Sequence, residues 1–258
     1  MRFHVVTTMN QRGWEETGRR LVDSFLTRWC ADAHPLVLYA EGFDPGVAGV
    51  EVRQLPNWID AFKAKCGNVP KFNGRTQAGY DYRLDAVKFA HKVAALTDYG
   101  KSIADGVHIW LDADTYTHED VTSDWLRGLF PEPAYVAWLD RKGSAPETGF
   151  VMYRASHHYH QNFMASFENI YTSGALLKMA ETNDSFVLQQ LVLAKMAAGK
   201  ISPAASLSGA AVRTSHPLIN SRLGECLDHC KGERKKAGIS RKSDIVMPRH
   251  EPYWRQAT

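Results

Sequence analysis

Apolar and polar positions along the chain follow two periods. Phe3–Met9 (F-H-V-V-T-T-M), His34–Glu41 (H-P-L-V-L-Y-A-E) and Val50–Leu55 are short apolar runs closed by polar residues, the pattern of buried strands. Between the first two, Trp14, Leu21, Val22, Phe25 and Trp29 recur at helical spacing, with Arg19, Arg20 and Asp23 in the gaps. This predicts a helix over 14–29. A second helix is predicted over Tyr80–Leu96. There Asp81, Asp85, Lys88 and Lys92 share one face, and Asp81 and Lys92 read as part of a surface salt-bridge ladder. Strands are predicted over Val107–Leu111, Ala134–Leu139 and Glu147–Arg154, and helices over Ala155–Leu177 and Thr182–Ala198. Ala61–Gly79 reads as a basic loop able to cover a substrate, and Gly199–Val212 as a second loop.

The order β-α-β-β, followed by further strands and helices, predicts an α/β fold: an open mixed sheet flanked by helices. In such sheets ligands bind at the carboxyl ends of the strands. Thr7, Thr8 and Glu41 fall at two such ends, where capping or solvated loop roles compete with binding.

Composition narrows the picture further. The 258 residues are 44% hydrophobic and 23% charged, as in ordinary globular protein. No apolar run is long enough to cross a bilayer, so no membrane role is expected. The opening residues read as a first strand rather than a leader, so a cytoplasmic location is expected. The four cysteines are too few and scattered for a disulfide scaffold. Cys226, His229 and Cys230 are close in sequence but fall short of a zinc ligand set. His157, His158 and His160 suit no single helix face and read as surface or packing residues. The net charge is only +3 but uneven. Lys231, Arg234, Lys235, Lys236, Arg241 and Lys242 crowd one stretch, a solvated segment or an anion site.

The sharpest chemical signal is Val107–Thr115, V-H-I-W-L-D-A-D-T. Side chains at i and i+2 of a fraying strand point the same way, so Asp112 and Asp114 share a side. Two carboxylates that close repel unless a cation lies between them. A hard divalent ion that also grips a diphosphate answers that repulsion, with two solvated aspartates at a strand end as the competing reading.

Leu111-Asp112-Ala113-Asp114-Thr115 resembles the D-x-D motif of GT-A-fold, nucleotide-sugar-dependent glycosyltransferases, in the form found in glycogenin-type hexosyltransferases. The resemblance implies a single GT-A-like (Rossmann-like) domain over 1–258. Residues 1–115 would be its nucleotide-binding half, 116–213 its acceptor half, and 214–258 a basic segment closing the donor site. It implies Mn²⁺ or Mg²⁺ on Asp112 and Asp114. His229-Cys230-Lys231-Gly232 is similar to the family's late His-x-x-Gly with lysine, which makes His229 the third ligand and sets Lys231, Gly232 and Lys235 near the diphosphate. No Pro-Trp follows, as it does in the family. Thr7, Thr8, Glu41, Arg83 and Ala113 would contact the donor, expected to be a UDP-sugar, and Glu147, Thr148 and Gly149 would line the sugar pocket. Asp184 resembles the acid that deprotonates the acceptor in inverting members, with helix N-capping as its competing role. DNA bearing hydroxymethylated bases is a candidate acceptor, through the basic segments 63–75 and 231–242. Three other readings compete. A HAD-type phosphatase would use Asp112 as nucleophile and Asp114 as acid/base, but later paired acids are missing. A nucleotidyltransferase would need a Gly-rich basic signature after the first strand. A nucleic-acid-binding protein would use the C-terminal basic run.

Overall fold

A computed structural model describes residues 1–208 and 216–257. Positions 209–212 of the predicted 199–212 loop, and residues 214, 215 and 258 of the C-terminal segment, lie outside it. Strand β1 (Phe3–Asn10) runs straight into a helical stretch made of α1 (Gln11–Gly13), a π-helical turn (Trp14–Gly18) and α2 (Arg19–Arg28). Asn10 starts it by accepting the Gly13 N–H at 2.8 Å. Then follow β2 (Leu36–Glu41), β3 (Val50–Arg53), α3 (Trp58–Cys66) and a small hairpin of β4 (Arg75–Thr76) and β5 (Gly79–Tyr80). Next come α4 (Ala86–Ser102), β6 (Val107–Leu111), β7 (Thr115–Thr117), α5 (Ser123–Leu129), β8 (Val136–Arg141) and β9 (Ser144–Arg154). The chain closes with α6 (His160–Thr172), α7 (Asp184–Ala197), β10 (Ala205–Ser206), β11 (Leu227–His229) and α8 (Arg234–Ala237).

Seven strands form one sheet in the order β10-β8-β9-β6-β1-β2-β3. β1, β2, β3 and β6 are parallel, while β9 runs antiparallel between β6 and β8. Successive residues of a strand face opposite sides. Val6 and Trp110 therefore pack with Ala90, Val93, Phe163 and Leu188 of α4, α6 and α7 on one face. Val5 and Ile109 pack with Leu21, Val22 and Phe25 of α2 on the other. Helices cover both faces, which is why the central strands read as unbroken apolar runs.

Several elements depart from the sequence expectation, among them β10, which adds a short strand inside the predicted 199–212 loop. The helix predicted over 80–96 starts at Ala86, because Asp85 accepts the Lys88 N–H at 3.0 Å and caps it there. Asp81 lies ahead of it, beside a 3₁₀ turn over Tyr82–Leu84, so the predicted charge ladder does not form. Part of the 61–79 loop is helical, since Ile59, Phe62 and Cys66 recur at helical spacing and are buried. The helix over 155–177 shortens to α6. His160 is buried there against Tyr135, with Nδ1 3.1 Å from its hydroxyl, while His157 and His158 stack on one another. Among the described residues no helix is long and apolar enough to cross a membrane.

Candidate functional site

The site forms where β6 ends. The Asp112 N–H donates to Gly149 O at 2.8 Å, and the Thr115 N–H to Asp112 O at 3.0 Å. This turn lifts the chain off the sheet into β7, which pairs antiparallel with β11 so that His229 lies opposite Thr115. Cys230 N then donates to Asp114 O at 2.9 Å. The late histidine is thus carried onto the aspartates by backbone pairing. Its Nε2 lies 2.8 Å from Asp114 Oδ1 and 3.6 Å from Asp112 Oδ2. One ligand atom from each of the three residues lies within 4.8 Å of the others.

Two carboxylate oxygens and an imidazole nitrogen suit Mg²⁺ or Mn²⁺. The remaining atoms support that fit. His229 Nδ1 is buried with no hydrogen-bond partner, and the nearest carboxylate, Glu147 Oε1, lies 3.8 Å away, which keeps negative charge beside the imidazole. Burial opposes charge on Asp114. The nearby His229, Lys235 and Lys231 outweigh it and hold the carboxyl well below the usual range. Burial likewise opposes charge on Glu147, but Lys231 and His229 bring it down to about 2. Both acids are therefore ionised at neutral pH. The two cysteines beside His229 do not join it: Cys226 Sγ lies 3.6 Å from Asp120 O, and Cys230 Sγ 3.6 Å from Asp228 Oδ2.

Around the aspartates the cations are individually assigned. Lys235 Nζ lies 3.2 Å from Asp114 Oδ2, and Lys231 pairs with Glu147. Lys92, which reads in the sequence as a surface residue, is at the centre. Its ammonium lies 3.0 Å from Asp112 Oδ1 and 2.9 Å from Asp184 Oδ2, and donates to Thr148 O at 2.6 Å. Burial would lower its pKa, but the two aspartates raise it to about 12, so it is a permanent cation. Trp110 Nε1 also donates to Asp112 Oδ1, at 2.6 Å, and the Lys92 ammonium lies 5.0 Å from the Trp110 ring centroid. Asp184 is not the cap of α7. Asn183 takes that role by accepting the Phe186 N–H at 3.0 Å, and Asp184 is left to accept from the Thr148 hydroxyl at 2.6 Å.

These groups open on a cleft of about 1140 Å³. Of the residues singled out in the sequence, Asp112, Ala113, Asp114, Glu147, Thr148, Asp184, His229, Lys231, Gly232 and Lys235 line it. So do Thr8 and Glu41, joined by a 3.1 Å hydrogen bond from the Thr8 hydroxyl. Thr7 points into the protein and is fully buried. Arg83 does not line the cleft, because its guanidinium is held by the Asp81 carboxylate at 2.7 Å. Gly149 lies under His229. Lys92 and Lys88, read in the sequence as residues of one charged helix face, also line the cleft, as do Trp110, His91 and Arg141, to which no site role was given.

The architecture can be compared with known proteins. No protein-family model matches the chain, and no curated protein matches its sequence. Solved structures do match. The galactosyltransferase LgtC, solved with donor and acceptor sugar analogs, superposes over 98% of this chain and 99% of its own, at 10% identity and a TM-score of 0.51. The fold is GT-A. Mouse xyloside xylosyltransferase 1 gives a TM-score of 0.48 at 12% identity, over 81% of this chain and 86% of that one. GlyE of Streptococcus pneumoniae gives 0.44 at 12% identity, over 80% of this chain and 46% of that one. In this GT-A sheet the aspartate pair sits at the carboxyl end of the central strand β6, where an open α/β sheet binds ligands.

Gly149 is required for that arrangement. A Cβ there would press into the His229 imidazole, with Nδ1 only 2.7 Å away and Glu147 Oε1 2.8 Å away. Gly149→Ala is therefore expected to push His229 off the aspartates. Mn²⁺ affinity, read by electron paramagnetic resonance, should fall about 10-fold to 100-fold while the fold is kept. An unchanged affinity would mean that His229 is not part of the cation site.

Proposed function

We propose that this protein is a metal-dependent glycosyltransferase that moves a hexose from a nucleotide diphosphate sugar, a UDP-sugar, to an acceptor hydroxyl. The observation that carries this reading is the convergence of Asp112, Asp114 and His229 with Lys231 and Lys235 in one cleft at the carboxyl end of β6. Asp112, Asp114 and His229 would hold Mn²⁺ or Mg²⁺, which supplies charge neutralisation to the diphosphate leaving group. Lys231 and Lys235 stand beside that position to receive the phosphate oxygens. Thr8 and Glu41 offer a hydroxyl and a carboxylate at the β1–β2 end for the nucleoside. Glu147 and Thr148 border the sugar. Asp184 is better placed to hold Lys92 and Thr148 than to take a proton from the acceptor, since its Oδ2 faces both. The acceptor proton would then pass to the departing diphosphate on the face the donor leaves, so the anomeric configuration would be retained.

DNA remains a candidate acceptor through the basic segment 63–75. The run 231–242 favours it less, because Lys231, Arg234, Lys235 and Lys236 each pair with a carboxylate of this chain. The phosphatase reading is less favoured, because Asp112 Oδ1 is taken by Trp110 and Lys92 and the later paired acids it needs are missing from the sequence.

The test is a panel of nucleotide sugars incubated with the protein and Mn²⁺ or EDTA, with nucleotide release as the readout. Metal-dependent release from a UDP-sugar is expected. Release that ignores EDTA, or none from any donor, would defeat the proposal. If hydroxymethylated DNA stimulates release, the stimulation should fall steeply with salt.

A further inference from the structure

Most cations of the cleft face a carboxylate. Lys92, Lys231 and Lys235 sit on Asp112, Glu147 and Asp114, and Arg12 on Glu16. Arg141 differs. It is the last residue of β8, beside the turn into β9, and it lines the same cleft. Its Nε donates to Ala145 O at 2.7 Å and one terminal nitrogen to Pro146 O at 3.3 Å. Two backbone carbonyls of its own hairpin thus fix the guanidinium, and no carboxylate pairs with it among the described residues. Residues 209–215, G-A-A-V-R-T-S, follow Ser208, whose hydroxyl bonds Asp140 O at 2.8 Å. That stretch contains no carboxylate either.

The sheet order gives Arg141 its meaning. β1 and β2, which carry Thr8 and Glu41, lie on one side of β6, while β9 and then β8 lie on the other. Across the cleft the sequence of groups is Glu41 and Thr8, then the aspartate pair, then Arg141. The leaving diphosphate is matched by Lys231 and Lys235 at the aspartates, so Arg141 faces whatever enters from the opposite flank. A guanidinium fixed in place, with N–H groups left over and no counter-charge, is built for a phosphate or carboxylate.

We propose that the acceptor carries an anionic group, a phosphate, which Arg141 binds to present the neighbouring hydroxyl to the donor. This rests on the glycosyltransferase reading and adds the acceptor's chemical class. A phosphorylated sugar and a polynucleotide both offer that group.

The experiment uses the full chain with saturating UDP and Mn²⁺, as wild type, Arg141→Gln and Arg141→Lys. Each is titrated by calorimetry with glucose 6-phosphate, with a short oligonucleotide bearing hydroxymethylcytosine, and with neutral lactose. At least one anionic probe should bind wild type more tightly than lactose, weaken about tenfold or more in Arg141→Gln, and recover in Arg141→Lys. Which probe does so identifies the source of the phosphate. Lactose binding as well as both anions, or binding by neither anion, would overturn the proposal. So would anion affinity unchanged in Arg141→Gln, or a loss that appears in UDP affinity instead. UDP binding by the wild type reports separately on the underlying reading. If UDP fails to bind while an anion binds through Arg141, the donor assignment falls and the anion site stands.

Discussion

Asp114→Ala is expected to lower metal-dependent turnover of the nucleotide sugar by roughly a thousandfold, the several kcal/mol that a bound cation contributes at a developing anion. Both oxygens of Asp114 are in use: Oδ1 faces His229 Nε2 at 2.8 Å, and Oδ2 faces Lys235 at 3.2 Å. Truncation removes a ligand and also leaves an imidazole and an ammonium with no anion between them. The cation should then bind more weakly even without nucleotide, which Mn²⁺ titration can read independently of turnover. The side chain is mostly covered but lies at the cleft wall with 16% of it exposed, outside the apolar core, so the fold should survive, as circular dichroism would show. Asp112→Asn is the companion, because it keeps shape and the Trp110 contact while removing charge. Wild-type turnover in Asp114→Ala would sink the cation site. Hydrolysis of a simple phosphate monoester that Asp112→Asn abolishes would instead favour the phosphatase reading.

The alternation of apolar runs and helical spacings was enough to expect an open α/β sheet, because strands covered on both faces must be apolar throughout. Asp112 and Asp114 stood out because two acids one residue apart at the end of an apolar strand repel each other unless a cation joins them. His229 did not stand out on spacing alone. It reaches the site through the β7–β11 pairing, a long-range contact that no local pattern encodes. Lys92 was misread for a related reason. Acids and lysines at intervals of three and four look like a solvated ladder. The ladder fails because Asp85 caps α4 and leaves Asp81 outside it, and the face bearing Lys92 turns toward the sheet rather than toward water. Whether a charged helix face is wet or dry depends on what packs on it, and that is set by β6, β9 and α7. Asp184 shows the same limit. The sequence reads it as the acceptor's base or as a helix cap, whereas Asn183 caps α7 and Asp184 engages Thr148 and Lys92.

Lys92→Met should be the most damaging substitution for stability. The ammonium is buried between Asp112 and Asp184, and Asp184 is itself almost fully covered. Removing one partner of a buried ion pair leaves the other charges uncompensated, at a cost of about 3–5 kcal/mol. The urea midpoint at neutral pH should drop accordingly. Methionine keeps most of the lysine's volume, so packing loss cannot account for an effect of that size. Two further measurements separate charge from shape. Adding Asp184→Asn to Lys92→Met removes one of the stranded carboxylates and should restore part of the midpoint, while turnover stays lost because Thr148 and Asp112 are no longer held together. Added Mn²⁺ should also raise the midpoint of Lys92→Met more than that of the wild type, since a cation at Asp112 offsets the missing ammonium. A Lys92→Met protein that unfolds at the wild-type midpoint would show that the ammonium is not what balances Asp112 and Asp184. The buried centre of the site would then need a different account.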